Sequence, residues 1–204
     1  MIEQRTDEWF ATRLGKVTAS RISDVMAKSK NGPSVTRNNY LTQLVCERLT
    51  GVRAESFTNA AMEWGTATEP MARDAYSAKT GELVTETGFH DHPTIPMCGA
   101  SPDGLVGIDG LVEIKCGNTS THLDWIYERK VPTRYLHQMM WQMACANKYW
   151  CDFASYDPRL PAHLRLLVIR VKRDDALIAT IETEVKNFLA EIELRLESLQ
   201  KAKL

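Results

Sequence analysis

Near residue 83 the apolar residues of this chain stop recurring every three or four positions and begin to alternate, and that change of period limits what it can fold into. Upstream, from Asp7 to about Lys79, the spacing predicts helices: a short one through Trp9 and Leu14, one over 19–27, one over 39–50, and a stretch through Trp64, Met71, Ala72 and Tyr76. Residues 83–92, 97–100, 103–107 and 111–115 read as short strands separated by Gly, Pro and Asp, with a strong turn signal at Asp109-Gly110. Helical spacing returns over 120–127 and 134–146, and strands are predicted over 150–156 and 164–171. A long closing helix keeps Leu177, Ile181, Val185, Phe188, Leu189, Ile192, Leu196 and Leu199 on one face. Helices before, between and after the strands predict an α/β core rather than a sandwich or a bundle.

A chain of 204 residues, 44% hydrophobic, can bury one substantial core, so one domain over 1–204 is expected. No apolar run approaches the ~20 residues of a membrane span. Charged residues follow Met1 closely, and a soluble, cytoplasmic protein is expected. The five cysteines form no C-x-x-C pair and read as core thiols. With 25 Lys+Arg against 26 Asp+Glu the net charge is -1, so any nucleic-acid footprint must be local. The five histidines are not at metal-ligand spacing. The absence of G-x-S-x-G, Walker and G-x-G-x-x-G patterns argues against serine hydrolases, NTPases and dinucleotide enzymes.

The chemistry concentrates in the alternating middle. As a strand, residues 110–115 place Val112 and Ile114 on one face and Glu113 and Lys115 on the other, roughly 7 Å apart. Ser101-Pro102-Asp103-Gly104 leads the preceding strand. A three-residue loop would set Asp103 across from Glu113; a two-residue turn would set Val106 there and leave Asp103 a few residues off. Either register keeps two carboxylates close. Such a pair resists ionisation unless a cation lies between, and oxygen-only ligation suits Mg²⁺ or Mn²⁺. The Ile114 carbonyl is a further candidate ligand. Lys115 could orient and help deprotonate water, or neutralise charge developing on a phosphate. These are the parts of metal-assisted phosphodiester hydrolysis.

Asp103 followed by Glu113-Ile114-Lys115 resembles the PD-(D/E)xK nuclease signature, and further marks narrow the resemblance to the phage lambda exonuclease family of viral recombination nucleases. The marks are Trp9, Arg13-Leu14-Gly15, Thr18-Ala19-Ser20, Trp64-Gly65, Glu69, Tyr135 with Gln138, and Tyr156-Asp157-Pro158-Arg159. The resemblance covers nearly the whole chain. It implies a restriction-endonuclease-like core, a central mixed β-sheet flanked by helices. It also implies a Mg²⁺-dependent 5′-to-3′ exonuclease that digests one strand of duplex DNA and leaves 3′ overhangs for single-strand annealing.

The resemblance assigns roles residue by residue. Asp103, Glu113 and the Ile114 carbonyl would hold one ion. Asp103 and Glu69 would share a second, Glu69 being placed by the sequence near a helix start, where Pro70 is tolerated and an acid favours the dipole. Gln138 would line the active site beside Lys115; Gln142, four residues on, gains much less support. Arg13, Ser20 and Ser101 would hold the 5′-terminal phosphate, and Thr18 or Ser20 can also cap the helix expected to follow. Lys30, in a basic region with Arg21, Lys28 and Arg37, stands where the family has a DNA-contacting arginine, and Met62 where it has an apolar wedge that splits terminal base pairs. A closed homotrimeric ring and an annealing-protein partner are implied as well. An endonuclease on the same core and a noncatalytic DNA-end-binding recombination protein are the alternatives.

Overall fold

The computed structural model describes residues 2–30, 32–54 and 59–202. The first part of the chain holds α1 (Asp7–Arg13), β1 (Val17–Thr18), α2 (Ile22–Val25), β2 (Lys28–Ser29), β3 (Gly32–Pro33), α3 (Val35–Thr50) and α4 (Ala60–Thr80). The middle supplies β4 (Val84–Thr85), β5 (His90–Asp91), β6 (Cys98–Ala100), β7 (Gly104–Val106) and β8 (Gly110–Lys115). Then come α5 (Thr119–Glu128), α6 (Thr133–Ala146), β9 (Trp150–Tyr156), β10 (Leu166–Lys172) and α7 (Asp175–Gln200).

The main sheet has five strands in the order β10-β9-β8-β7-β4. Only β8 and β9 run parallel, and α5 and α6 form the crossover that parallel pairing demands. A smaller sheet, β1-β6-β5, lies beside it. Period-two alternation along β8 explains how both faces of the main sheet are covered. Val112 and Ile114 pack with Val106, Ala154 and Tyr156 against Ala72 and Tyr76 of α4. Leu111 and Phe153 instead join the larger core under α3, α6 and α7. Glu113 shares the Leu111 face and so is carried into a crowded interior.

Several expected elements are redrawn. Residues 19–27 do not form one helix: a 3-10 turn over Ala19–Arg21 leads into the single turn of α2, and Thr18 makes no side-chain cap. Thr18 is instead committed to β1, level with Gly99, and its amide donates to the Tyr40 hydroxyl at 3.1 Å. The side-chain cap expected from Thr18 or Ser20 is therefore not made, and Arg21 stands at the start of α2. α4 begins nine residues before Glu69, where the Asn59 side chain accepts from the Met62 amide at 3.0 Å. Glu69 is mid-helix and gains nothing from the dipole. Pro70 lies inside this helix and removes one rung of its ladder, a cost of ~3 kcal/mol that the buried Ala72 and Tyr76 help to offset. α3 starts four residues before the expected 39, capped by Ser34. Residues 83–92 split between the two sheets, and Ala162–Leu164 is a 3-10 turn ahead of β10. Among the described residues no helix is long and apolar enough to cross a membrane, and all five cysteines are free.

Candidate active site

β7 and β8 pair as Gly104↔Val112, Leu105↔Leu111 and Val106↔Gly110, leaving a three-residue loop at Gly107, Ile108 and Asp109. Gly107 takes φ 56°, which an L side chain adopts at a cost. This is the register that sets Asp103 level with Glu113. Asp103 Oδ2 accepts the Ile114 amide at 2.7 Å, which ties the acid to the strand carrying the others. A Cβ on Gly104 would run into the Val84 side chain, so the glycine of Ser-Pro-Asp-Gly is required by the close approach of β4.

Glu113 is fully buried and fully hydrogen-bonded. It accepts from Gln138 Nε2 and Gln142 Nε2, each at 2.6 Å, and from the Lys115 ammonium. Both glutamines come from α6, whose residues 139–145 are all buried. The Gln142 amide oxygen is left buried without a donor. Lys115 also lies 5.2 Å from the centre of the Tyr135 ring, which stacks on Phe153. Burial opposes the lysine's charge, but Glu113 and Asp103 outweigh it and its pKa rises. Asp103 is pushed up to about 8, first by burial and then by Glu113, with Lys115 opposing and Glu69 adding.

Glu69 and Asp103 border one cavity of about 320 Å³, together with Arg5, Arg73 and Glu86. The Glu69 carboxylate is engaged by Arg5 and, at 3.1 Å, by Arg73, which also pairs with Glu86. The fold thus brings Asp103, Glu113, Ile114, Lys115 and Gln138 into one cluster, with Glu69 across the cavity. Among the described residues no three His, Cys, Asp or Glu side chains converge on one metal position. Two carboxylates and a backbone carbonyl still make an all-oxygen set that fits a hard divalent ion. The raised Asp103 carboxyl marks the excess negative potential such an ion would relieve. A second ion at Glu69 would have to displace two arginines.

Arg13, Ser20 and Met62 line a separate cavity of about 370 Å³ with Trp9, Phe10 and Arg53. The Arg13 guanidinium lies 3.8 Å over the Trp9 ring, and burial pushes its pKa down to about 10. The Trp9 indole N–H donates to Ser101 Oγ at 2.9 Å. One tryptophan therefore connects this cavity to the loop that presents Asp103. Met62 is 51% exposed and stands at the cavity wall rather than in the core. Lys30 is exposed beyond β2. The basic region expected around it is largely neutralised within the fold: Lys28 pairs with Glu184, Arg21 with Asp24, and Arg37 forks onto Glu191 with two bonds of 2.8 Å.

Sequence reasoning undervalued Gln142 and missed Arg5 and Arg73. The one signal for Gln142 was a glutamine one helical turn after another, in a helix otherwise rich in Met and Trp. Two family marks prove to be one structural unit. Arg159 forks onto Asp157, lowering that acid's pKa mainly through this hydrogen bonding, and its guanidinium lies 4.6 Å over Trp64.

The profile of the YqaJ-like viral recombinase domain matches residues 8–149. The chain belongs to this family. Among solved structures it resembles an alkaline exonuclease, LHK-Exo from Laribacter hongkongensis, at 55% identity and TM-score 0.91, over 96% of this chain and 97% of that one. The same protein in complex with dAMP matches equally. A phage-related exonuclease from Haemophilus somnus shares the fold at 16% identity and TM-score 0.75, over 90% of this chain and 96% of that one. No curated protein matches the chain. The expected kinship with viral recombination exonucleases and the restriction-endonuclease-like α/β core are both borne out.

Proposed function

We propose that this protein is a Mg²⁺-dependent exonuclease that digests one strand of double-stranded DNA from its ends, 5′ to 3′, leaving 3′ single-stranded overhangs for annealing recombination. The observation that carries this reading is the hydrogen-bonded cluster of Glu113 with Lys115 and Gln138, on the strand to which Asp103 is tied through the Ile114 amide, in a chain 55% identical to an alkaline exonuclease. Asp103, Glu113 and the Ile114 carbonyl would hold the ion. Mg²⁺, or Mn²⁺ with the same ligand preference, supplies Lewis-acid stabilisation of the phosphate and lowers the pKa of water.

The chain's own residues do the rest. Glu113 anchors Lys115 and Gln138, so that an ammonium and an amide face the attacking water from fixed positions. Lys115 stays protonated and neutralises charge on the phosphate. Glu69 would join Asp103 at a second ion by exchanging its arginines. Arg13, Ser20 and Ser101 would hold the 5′-terminal phosphate, with Lys30 and Met62 against the duplex. A homotrimeric ring around DNA, an annealing-protein partner, and a phage or prophage protein working in the bacterial cytoplasm complete the proposal.

The test is a digestion time course on linear and covalently closed duplex, with and without a 5′ phosphate, in the wild type and in Glu113→Ala. Loss of at least about a thousandfold in rate is expected for the variant, since the buried acid serves both ion and lysine. Undiminished digestion by Glu113→Ala would remove the site assignment, and cleavage of closed circles would replace the exonuclease with an endonuclease.

A further inference from the structure

We propose that Arg134 binds a backbone phosphodiester of the DNA strand lying in the active-site cleft, and that the turn bearing Arg129 and Lys130 extends this contact. The inference rests on the nuclease reading above. It supplies the local cationic surface that a chain of net charge -1 needs in order to hold DNA.

Along α6, Arg134, Gln138 and Gln142 recur every four residues and so share one helix face. That face runs outward from the interior: Gln142 is buried, Gln138 half-buried and Arg134 exposed. Both glutamines reach Glu113, which leaves Arg134 one helical turn further out, at the mouth of the same cleft. Tyr135 fixes the guanidinium there. Arg134 Nη2 donates to the Tyr135 hydroxyl at 2.7 Å, and its Cζ lies 4.5 Å from the ring centre. Lys115 Nζ lies 5.2 Å from that same centre. The ammonium that faces the reacting phosphate and the Arg134 guanidinium are thus arranged around one aromatic ring.

Many cations elsewhere in the fold are matched by acids. Arg5 and Arg73 meet Glu69, Lys28 meets Glu184, Arg21 meets Asp24 and Arg37 meets Glu191. Arg129, Lys130 and Arg134 are all exposed, and among the described residues no carboxylate pairs with any of them. Asp124 and Glu128 of α5 are the nearest acids in sequence and make no ion pair, and no acid lies in the first turn of α6. The acceptor that Arg134 does engage is a neutral hydroxyl, which takes one of its five N–H donors and aims the rest without cancelling the charge. The turn itself is anchored. The Arg129 amide donates to the Trp125 carbonyl at 3.0 Å, and Trp125 meets Tyr135 edge to face with centroids 5.7 Å apart. Ser23 Oγ donates to the Arg134 carbonyl at 3.0 Å. Cations held in place beside a catalytic lysine, and left without acids, are the condition for gripping a polyanionic strand.

The test is equilibrium binding of linear duplex with 5′-phosphate or 5′-hydroxyl ends, without divalent ions and across a range of salt, to the full chain and to Arg134→Ala, Arg134→Gln and Arg134→Lys. Arg134→Ala is expected to lose roughly five- to tenfold in affinity at about 0.1 M salt, equally for both ends. Its plot of log affinity against log salt is expected to be shallower by about 0.9, the release of one phosphate contact. Arg134→Gln keeps a donor for Tyr135 and is expected to melt with the wild type while matching Arg134→Ala in slope, which separates lost charge from lost packing. Arg134→Lys is expected to keep the wild-type slope and lose part of the affinity, since an ammonium lacks the fork. The inference is overturned if Arg134→Gln keeps the wild-type slope, if Arg134→Lys loses as much slope as Arg134→Gln, or if only the 5′-phosphate end is affected. A wild type that binds no duplex overturns the nuclease reading itself, and this inference with it.

Discussion

Divalent-ion binding should be coupled to a proton on Asp103, and the structure sets the pH at which the coupling shows. The carboxyl is held up to about 8 by burial and by Glu113, so below that pH the ion must displace a proton. One competing proton weakens apparent Mg²⁺ affinity about tenfold between pH 9 and pH 7, and by roughly another tenfold at pH 6. Stability carries the opposite sign. The folded pKa lies above the ordinary carboxylate value, so between about pH 4 and 8 the folded state keeps a proton that the unfolded state has released. Ion-free protein should therefore lose stability as pH rises through that window, and Mg²⁺ should restore it at pH 9. Calorimetric titration with Mg²⁺ at pH 6, 7, 8 and 9, beside melting curves with and without the ion, measures both. In Asp103→Asn the ion-free melting temperature should lose this pH dependence. Mg²⁺ affinity that stays flat from pH 6 to 9 would refute the reasoning.

Other substitutions probe the scaffold around the site. Gln142→Leu removes a 2.6 Å hydrogen bond from buried Glu113 and should cost about 2 kcal/mol in urea unfolding. Its slower digestion should appear in kcat more than in KM, because the glutamine holds the acid and does not meet DNA. Gly110→Ala places a methyl against the Trp150 ring and should destabilise by about 2 kcal/mol, read as a lower denaturation midpoint with unchanged slope. Tyr76→Phe deprives buried Asp152 of a 2.7 Å bond and should lower stability by about 1 kcal/mol with digestion intact; a large loss of activity would mean that Asp152 reaches the catalytic cleft.

The parts of the site that were legible in sequence are those whose geometry is local. Alternation across 110–115 places Glu113 beside Lys115, and a turn near Asp109-Gly110 brings Asp103 back to them, because strand period and hairpin closure act over about ten residues. Local pattern leaves the loop length open between two and three residues. The close fit of Gly104 beneath Val84, and the packing of Gly110 against Trp150, accompany the three-residue form. Glu69 was placed correctly on a helix but wrongly at its start, because Pro70 reads as a beginning when the burial of Ala72 and Tyr76 is unknown. The turn after Thr18 was overextended into a helix for a related reason. Pairing of β1 with β6 is a contact between residues about 80 apart, and nothing in the local spacing announces it.

The sequence by itself determined the order of the main helices and strands from about residue 39 onward, the hairpin that joins two acids to a lysine, and membership of a recombination-nuclease family. The tertiary structure alone decided that Gln142 as well as Gln138 holds Glu113, that Arg5 and Arg73 occupy Glu69, and that Arg53 stands beside Arg13. The physical reason is that helical and strand periods tell which side chains share a face. What that face meets depends on packing among elements distant in the chain, and on the need to satisfy a carboxylate once packing has buried it.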